Sequence, residues 1–179
     1  MSQSSYTSGT SDIPLIGMTI GDKFDDTVER YPDREALIVR HQHIRWTYRE
    51  LRDQVDLCAR ALIAQGCIKG DRVGIWSPNR SEWTILQLAT AKVGVILVNI
   101  NPSYRLHELK YALSQSGCKI LVLADQFKTS NYVQMILELA PELTSSSFGD
   151  LKSIELPQLK GAVVLSDQPI RGLLGWKDI

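Results

Sequence analysis

The sequence carries no surplus charge: 20 lysines and arginines stand against 20 aspartates and glutamates along 179 residues. So balanced a chain has no long-range field to draw it to nucleic acid, and any phosphate-bearing partner must be held by a local site. Long apolar runs are missing too, and none approaches the roughly 20 residues that a membrane span needs. Cysteine is scarce. Cys58, Cys67 and Cys118 are odd in number, widely spaced and form no Cys-x-x-Cys pair, which predicts free thiols, buried or partly buried, in a reducing compartment. Met1 to Ser11 has neither a basic residue nor an apolar core, so it is no secretory signal, and a cytoplasmic location is expected. Histidine is sparse. His41 and His43 sit at alternate positions, but with only His107 besides a closed metal shell is not formed, and an exposed hairpin end is expected. No Ser/His/Asp or Cys/His set has a spacing that argues for a nucleophile.

What is present is alternation. From Lys69 to Asp125 the chain reads strand, helix, strand, helix, strand, with a polar turn at each junction. Val73–Trp76, Val95–Val98 and Lys119–Ala124 are the apolar runs; Ser81–Val93, closed by Gly94, and Arg105–Ser116, closed by Gly117, are the helices. This pattern predicts an α/β fold, a parallel, flavodoxin-like sheet with crossover helices.

Before that unit, residues 1–18 are expected to form an extended arm, with Pro14-Leu15-Ile16 able to lie on the body formed by residues 19–179. Thr19 to Tyr31 reads as a helix with Ile20, Phe24, Val28 and Tyr31 on one face. Ala36–Val39 and Ile44–Trp46 read as a hairpin joined across Arg40–His43. Thr47-Tyr48-Arg49-Glu50 is a capping box, stapled by Trp46 and Leu51, and opens a helix with Leu51, Val55, Cys58, Leu62 and Ile63 on its buried stripe, ending at Gly66. Asn79-Arg80-Ser81-Glu82 is a second box at the head of the next helix. Asp25, Asp26, Asp53 and Asp56 belong to helix faces expected to be solvated. Beyond Asp125 the pattern weakens to a helix over Ser130–Leu139, a polar connector over 142–159 expected to be a variable or mobile loop, and a last strand at Ala162–Leu165. No closing element is expected before Ile179. A sheet left open in this way has an unpaired edge, so self-association is expected.

In open α/β sheets ligands gather beyond the carboxyl ends of the strands. Those ends are Ser77-Pro78-Asn79-Arg80, the turn from Asn99 to Arg105, and Asp125-Gln126. Their asparagines and serines suit helix capping, and Arg80 and Arg105 are the cations placed to meet a phosphate.

Several segments together carry a resemblance: Thr47-Tyr48-Arg49-Glu50-Leu51, Lys69-Gly70-Asp71-Arg72-Val73, Pro78-Asn79, Ala91-Lys92-Val93-Gly94, Asn101-Pro102 and Leu113-x-x-Ser116-Gly117. In this order and at these intervals they resemble the N-terminal part of the AMP-binding, adenylate-forming acyl-CoA synthetases. Trp76-Ser77-Pro78-Asn79 and Gln126-Phe127-Lys128-Thr129, with the opening from Ser5 to Leu15, point to the medium-chain fatty-acyl branch. The resemblance implies activation of a fatty acid by ATP and Mg²⁺. An acyl-adenylate forms with release of pyrophosphate, and the CoA thiol then displaces AMP to give the thioester. It also implies that the catalytic motifs lie downstream of this chain, so that the fragment alone is inactive and holds no cofactor tightly. Some relatives place a basic residue just after the Asn-Pro turn, near the CoA nucleotide. Ser103 is the matching position and Arg105 follows two residues on, so these two are the candidates for a CoA rim. Tyr6-Thr7-Ser8-Gly9-Thr10 echoes the family's phosphate loop, but it lacks a preceding strand and is followed by Asp12 instead of glycine and lysine, so it is read as part of the arm. The rival reading is a standalone α/β binding or interaction module that keeps the fold without the reaction.

Overall fold

The computed structural model describes residue 9, residues 12–13 and residues 15–179. The Tyr6–Thr10 string, apart from Gly9, and Pro14 lie outside the described residues. Leu15 and Ile16 are exposed and do not pack on the body.

Thr19 caps α1 (Ile20–Arg30), its hydroxyl accepting the Asp22 N–H at 3.1 Å. Phe24 and Val28 are buried, whereas Ile20 and Tyr31, at the two ends of the helix, are exposed. Strands β1 (Glu35–Val39) and β2 (Ile44–Thr47) pair antiparallel. A single 3-10 turn joins them, with His43 in the left-handed region at φ 55°. Both halves of the capping box then form at the head of α2 (Tyr48–Ala64): Glu50 N–H donates to the Thr47 hydroxyl, and Thr47 N–H to the Glu50 carboxylate. The buried stripe holds Leu51, Val55, Cys58 and Leu62, but Ile63 faces out.

The alternating unit follows as β3 (Arg72–Trp76), α3 (Ser81–Val93), β4 (Ile96–Ile100), α4 (Leu106–Ser116) and β5 (Ile120–Ala124). Gly94 and Gly117 close the two helices at φ 72° and 62°, a conformation that glycine adopts without a Cβ clash. Strand β4 ends two residues later than its apolar run, because Asn99 and Ile100 find ladder partners in Ile75 and Trp76. A short hairpin, β6 (Gln126–Phe127) with β7 (Ser130–Asn131), precedes α5 (Tyr132–Leu139). Asn131 caps that helix by accepting the Gln134 N–H, so the helix starts later than the sequence pattern alone implies. Strand β8 (Gly161–Leu165) is followed by a further parallel strand, β9 (Leu174–Gly175), and a 3-10 turn. The expectation of no closing element is corrected by these two pieces.

The main sheet is all parallel in the order β4-β3-β5-β8-β9. Counted along its own strands this is 2-1-3-4-5, the flavodoxin order, with its switch point between β3 and β5. Alternate residues feed two cores. Val73, Ile75, Ile120, Val122, Val163 and Leu165 pack with α1, α2 and α3. Trp76, Leu121, Leu123 and Ala162 pack with α4 and α5 on the other face. All three cysteines are buried and unpaired. The 142–159 connector opens in a 3-10 turn (Pro141–Ser145) and is irregular beyond it, yet Leu143, Leu151, Leu156 and Leu159 are buried in the second core. It is pinned to the body, which corrects the expectation of a mobile loop.

Candidate functional site at the carboxyl ends of the strands

Three turns converge beyond the carboxyl ends of β3, β4 and β5. After β3, Ser77 is fully buried. Its hydroxyl donates to the Pro78 carbonyl at 2.9 Å, and its own carbonyl accepts the Trp83 indole N–H at 3.0 Å. Asn79 is exposed and makes no cap. The N-terminus of α3 is served instead from the hairpin loop: Gln42 Oε1 accepts the Ser81 N–H at 2.7 Å, and Gln42 Nε2 donates to Glu82 at 2.9 Å. Arg80 clasps the same carboxylate through Nε and Nη2, at 3.2 and 3.1 Å. Burial works to raise the Glu82 carboxyl, but Arg80 and Gln42 outweigh it and hold it below its ordinary range. Arg80 is thus committed to a carboxylate, and the expectation that it stands ready for phosphate is corrected.

After β4, Asn101 Oδ1 accepts the Ser103 N–H at 2.9 Å, an Asx-type turn. The Trp76 indole donates to the Asn101 carbonyl at 3.1 Å, and the Tyr132 hydroxyl donates to the Pro102 carbonyl. Trp76 and Tyr132 stack with ring centroids 3.5 Å apart and planes 10° from parallel. Burial pushes the Tyr132 phenol up to about 12, so it stays a donor at neutral pH. The Arg105 N–H donates to Glu108 at the head of α4, and its guanidinium Nη1 donates to the Ser130 hydroxyl at 2.8 Å. Ser103 and Arg105 therefore share one exposed turn, held from beneath by the Trp76–Tyr132 stack and from the side by the β6–β7 hairpin.

After β5, Asp125 is exposed; its carboxylate accepts the Gln126 N–H and its carbonyl accepts those of Tyr132 and Val133. A cavity of about 210 Å³ lies among Arg80, Glu82, Asp125, Ser166, Asp167 and Lys177. Its charged groups are largely spoken for, with Arg80 on Glu82 and Lys177 on Asp167 at 2.6 Å. Such a floor orients hydrogen bonds better than it neutralises a polyphosphate. His41 and His43 stay on the hairpin, and His107 is on α4; among the described residues no group of three His, Cys, Asp or Glu could hold a metal ion. No helix among the described residues is long and apolar enough to cross a membrane.

Sequence reasoning missed Gln42, Ser130 and Tyr132. Gln42 gives no local signal, since its partners lie 39 and 40 residues away. Tyr132 gives no local signal either, since Trp76, on which it stacks, is far from it in sequence.

Comparison with known proteins gives concordant matches. The family model described as AMP-binding enzyme matches residues 24–166. The medium-chain acyl-CoA ligase ACSF2, mitochondrial, of Mus musculus is 43% identical over 98% of this chain, and that of Bos taurus 44% identical over 95%. The chain spans 28% of the length of each. A solved fatty acyl CoA synthetase of Mycobacterium tuberculosis aligns at TM-score 0.62 and 28% identity, over 68% of this chain and 23% of its own. Both mammalian relatives are named as mitochondrial, and this overturns the cytoplasmic location expected from the sequence.

Proposed function

The chain belongs to the AMP-binding enzyme family, and from that premise we propose that it is the N-terminal part of a mitochondrial medium-chain acyl-CoA ligase. The parent enzyme would join a medium-chain fatty acid to CoA through an acyl-adenylate, with ATP cleaved to AMP and pyrophosphate. The observation that carries this reading is the likeness to such ligases along nearly the whole chain.

Within that reaction Arg80 is spent on Glu82 and is poorly placed to neutralise a triphosphate. A CoA rim fits better. Arg105 keeps guanidinium donors beyond the one given to Ser130, and it stands on an exposed turn whose backbone is fixed at Asn101 and Pro102. We assign Arg105, with Ser103 beside it, to the phosphates of the CoA nucleotide. The role is orientation: a cation at the rim slows CoA dissociation and aims the thiol, but moves no proton.

Steady-state kinetics of the parent enzyme test this. Arg105→Glu should raise the KM for CoA about tenfold, equivalent to the loss of one charge-assisted contact, and leave the KM for ATP and fatty acid nearly unchanged. An unchanged KM for CoA removes Arg105 from the site. The 179-residue chain alone should release no AMP from ATP, fatty acid and CoA; turnover by it would overturn the claim that the reacting groups lie elsewhere. We also propose that the isolated chain self-associates.

A further inference from the structure

The two edges of the main sheet differ. On one side β9 has only two residues and runs straight into a 3-10 turn. On the other, β4 has five residues, Ile96-Leu97-Val98-Asn99-Ile100, and among the described residues β3 is its only strand neighbour. Its register with β3 runs unbroken over all five, so no bulge twists it away. It holds no charge and no proline, the usual guards of an exposed edge. Ile96 is 52% exposed, and Tyr111 on α4 is exposed as well.

The direction of the backbone can be fixed. Ile96 N–H donates to the Asp71 carbonyl, on the β3 side. By strand alternation Val98 and Ile100 also turn their polar groups toward β3, and Leu97 and Asn99 turn theirs outward. We propose that β4 is a homodimer interface, at which a second copy of this chain pairs antiparallel about a two-fold axis through Val98. Leu97 then exchanges both backbone hydrogen bonds with Asn99 of the second copy, and Ile96 lies against Ile100. The strand is its own complement, as an isologous contact requires. A chain with no net charge puts no long-range repulsion between copies. This names the surface for the self-association proposed above and is independent of the ligase reading.

In that register Val98 faces its own copy across a non-hydrogen-bonded pair, where Cα atoms are ~4.5 Å apart, within disulfide reach. The native cysteines are all buried and do not compete. Under a mild added oxidant Val98→Cys should therefore give a covalent dimer, and Ile96→Cys should not, whereas Ile96→Cys combined with Ile100→Cys should. By light scattering the unmodified chain should have twice its 20.1 kDa mass. Asn99→Pro, which removes an outward donor and leaves the β3 ladder intact, should be monomeric with an unchanged circular dichroism spectrum. If Asn99→Pro fails to fold, the cysteine series decides. A monomer at every concentration, or a dimer that Val98→Cys fails to cross-link, overturns the proposal. Neither result touches acyl-CoA formation by the parent enzyme.

Discussion

Lys92 sits where three helices meet. Its ammonium donates to Asp25 on α1 at 2.7 Å and to Asp56 on α2 at 2.6 Å, with only 16% of its side chain exposed. Backbones approach closely there: a Cβ on Gly21 would lie 3.2 Å from the Lys92 Cα. Burial works to lower the Lys92 pKa, but the two carboxylates outweigh it and raise it above the ordinary 10.5. A group raised on folding stabilises fully below its unfolded value and loses that contribution as pH climbs through its folded value. Lys92→Met should therefore cost about 2 kcal/mol at neutral pH, below the cost of breaking a fully buried pair because the carboxylates keep contact with water. The difference from the unmodified chain in urea denaturation should shrink once pH passes 10.5 and the raised folded value. A gap independent of pH would mean that packing alone is responsible. The two aspartates were expected to be solvated because each lies on the polar side of its own helix. Their shared partner is 67 and 36 residues away, a separation that no helical periodicity encodes.

At the scale of elements, two helix starts that look alike in sequence are built differently. Thr47-Tyr48-Arg49-Glu50 closes on itself, and its ingredients are all within four residues, so it was legible. Asn79-Arg80-Ser81-Glu82 has the same spacing, but its asparagine points away and Gln42 of the hairpin loop takes the cap. A cap supplied in trans costs nothing locally and docks the β1–β2 hairpin onto α3, so tertiary geometry wins over the local motif. Substitution should separate the two cases. Thr47→Ala is expected to cost about 1 kcal/mol, and Gln42→Ala about 1–2 kcal/mol, since it leaves the Ser81 N–H and the buried Glu82 each one partner short. Asn79→Ala should fall within about 0.5 kcal/mol of the unmodified chain. Hydrogen exchange in the first turn of α3 should accelerate in Gln42→Ala alone. If Asn79→Ala destabilises as much as Thr47→Ala, the trans cap is wrong.

Across the whole molecule, the sheet divides the interior into two cores, and what covers each face decides how much could be read in advance. The α1–α2–α3 face is covered by capped amphipathic helices whose buried positions recur at helical spacing, and there strands, helices and most core residues followed from the sequence. The other face is completed by Leu143, Leu151, Leu156 and Leu159, spaced by eight, five and three residues in a segment with no regular structure between 146 and 160. Apolar residues at no fixed period give no helix or strand signal, and the serines around them look like a solvated linker. The structure resolves the ambiguity through burial. Leu151 and Leu159 are each 1% exposed, against the core that holds Leu121, Leu123 and Ile136. A linker side chain trimmed to alanine changes stability by little, whereas a core leucine leaves a cavity. Leu151→Ala should therefore cost about 3 kcal/mol, and limited proteolysis of the unmodified chain should spare 146–160 until conditions that also open α5. Cleavage there under native conditions, or a Leu151→Ala chain as stable as its parent, would show that the second core is closed without this segment.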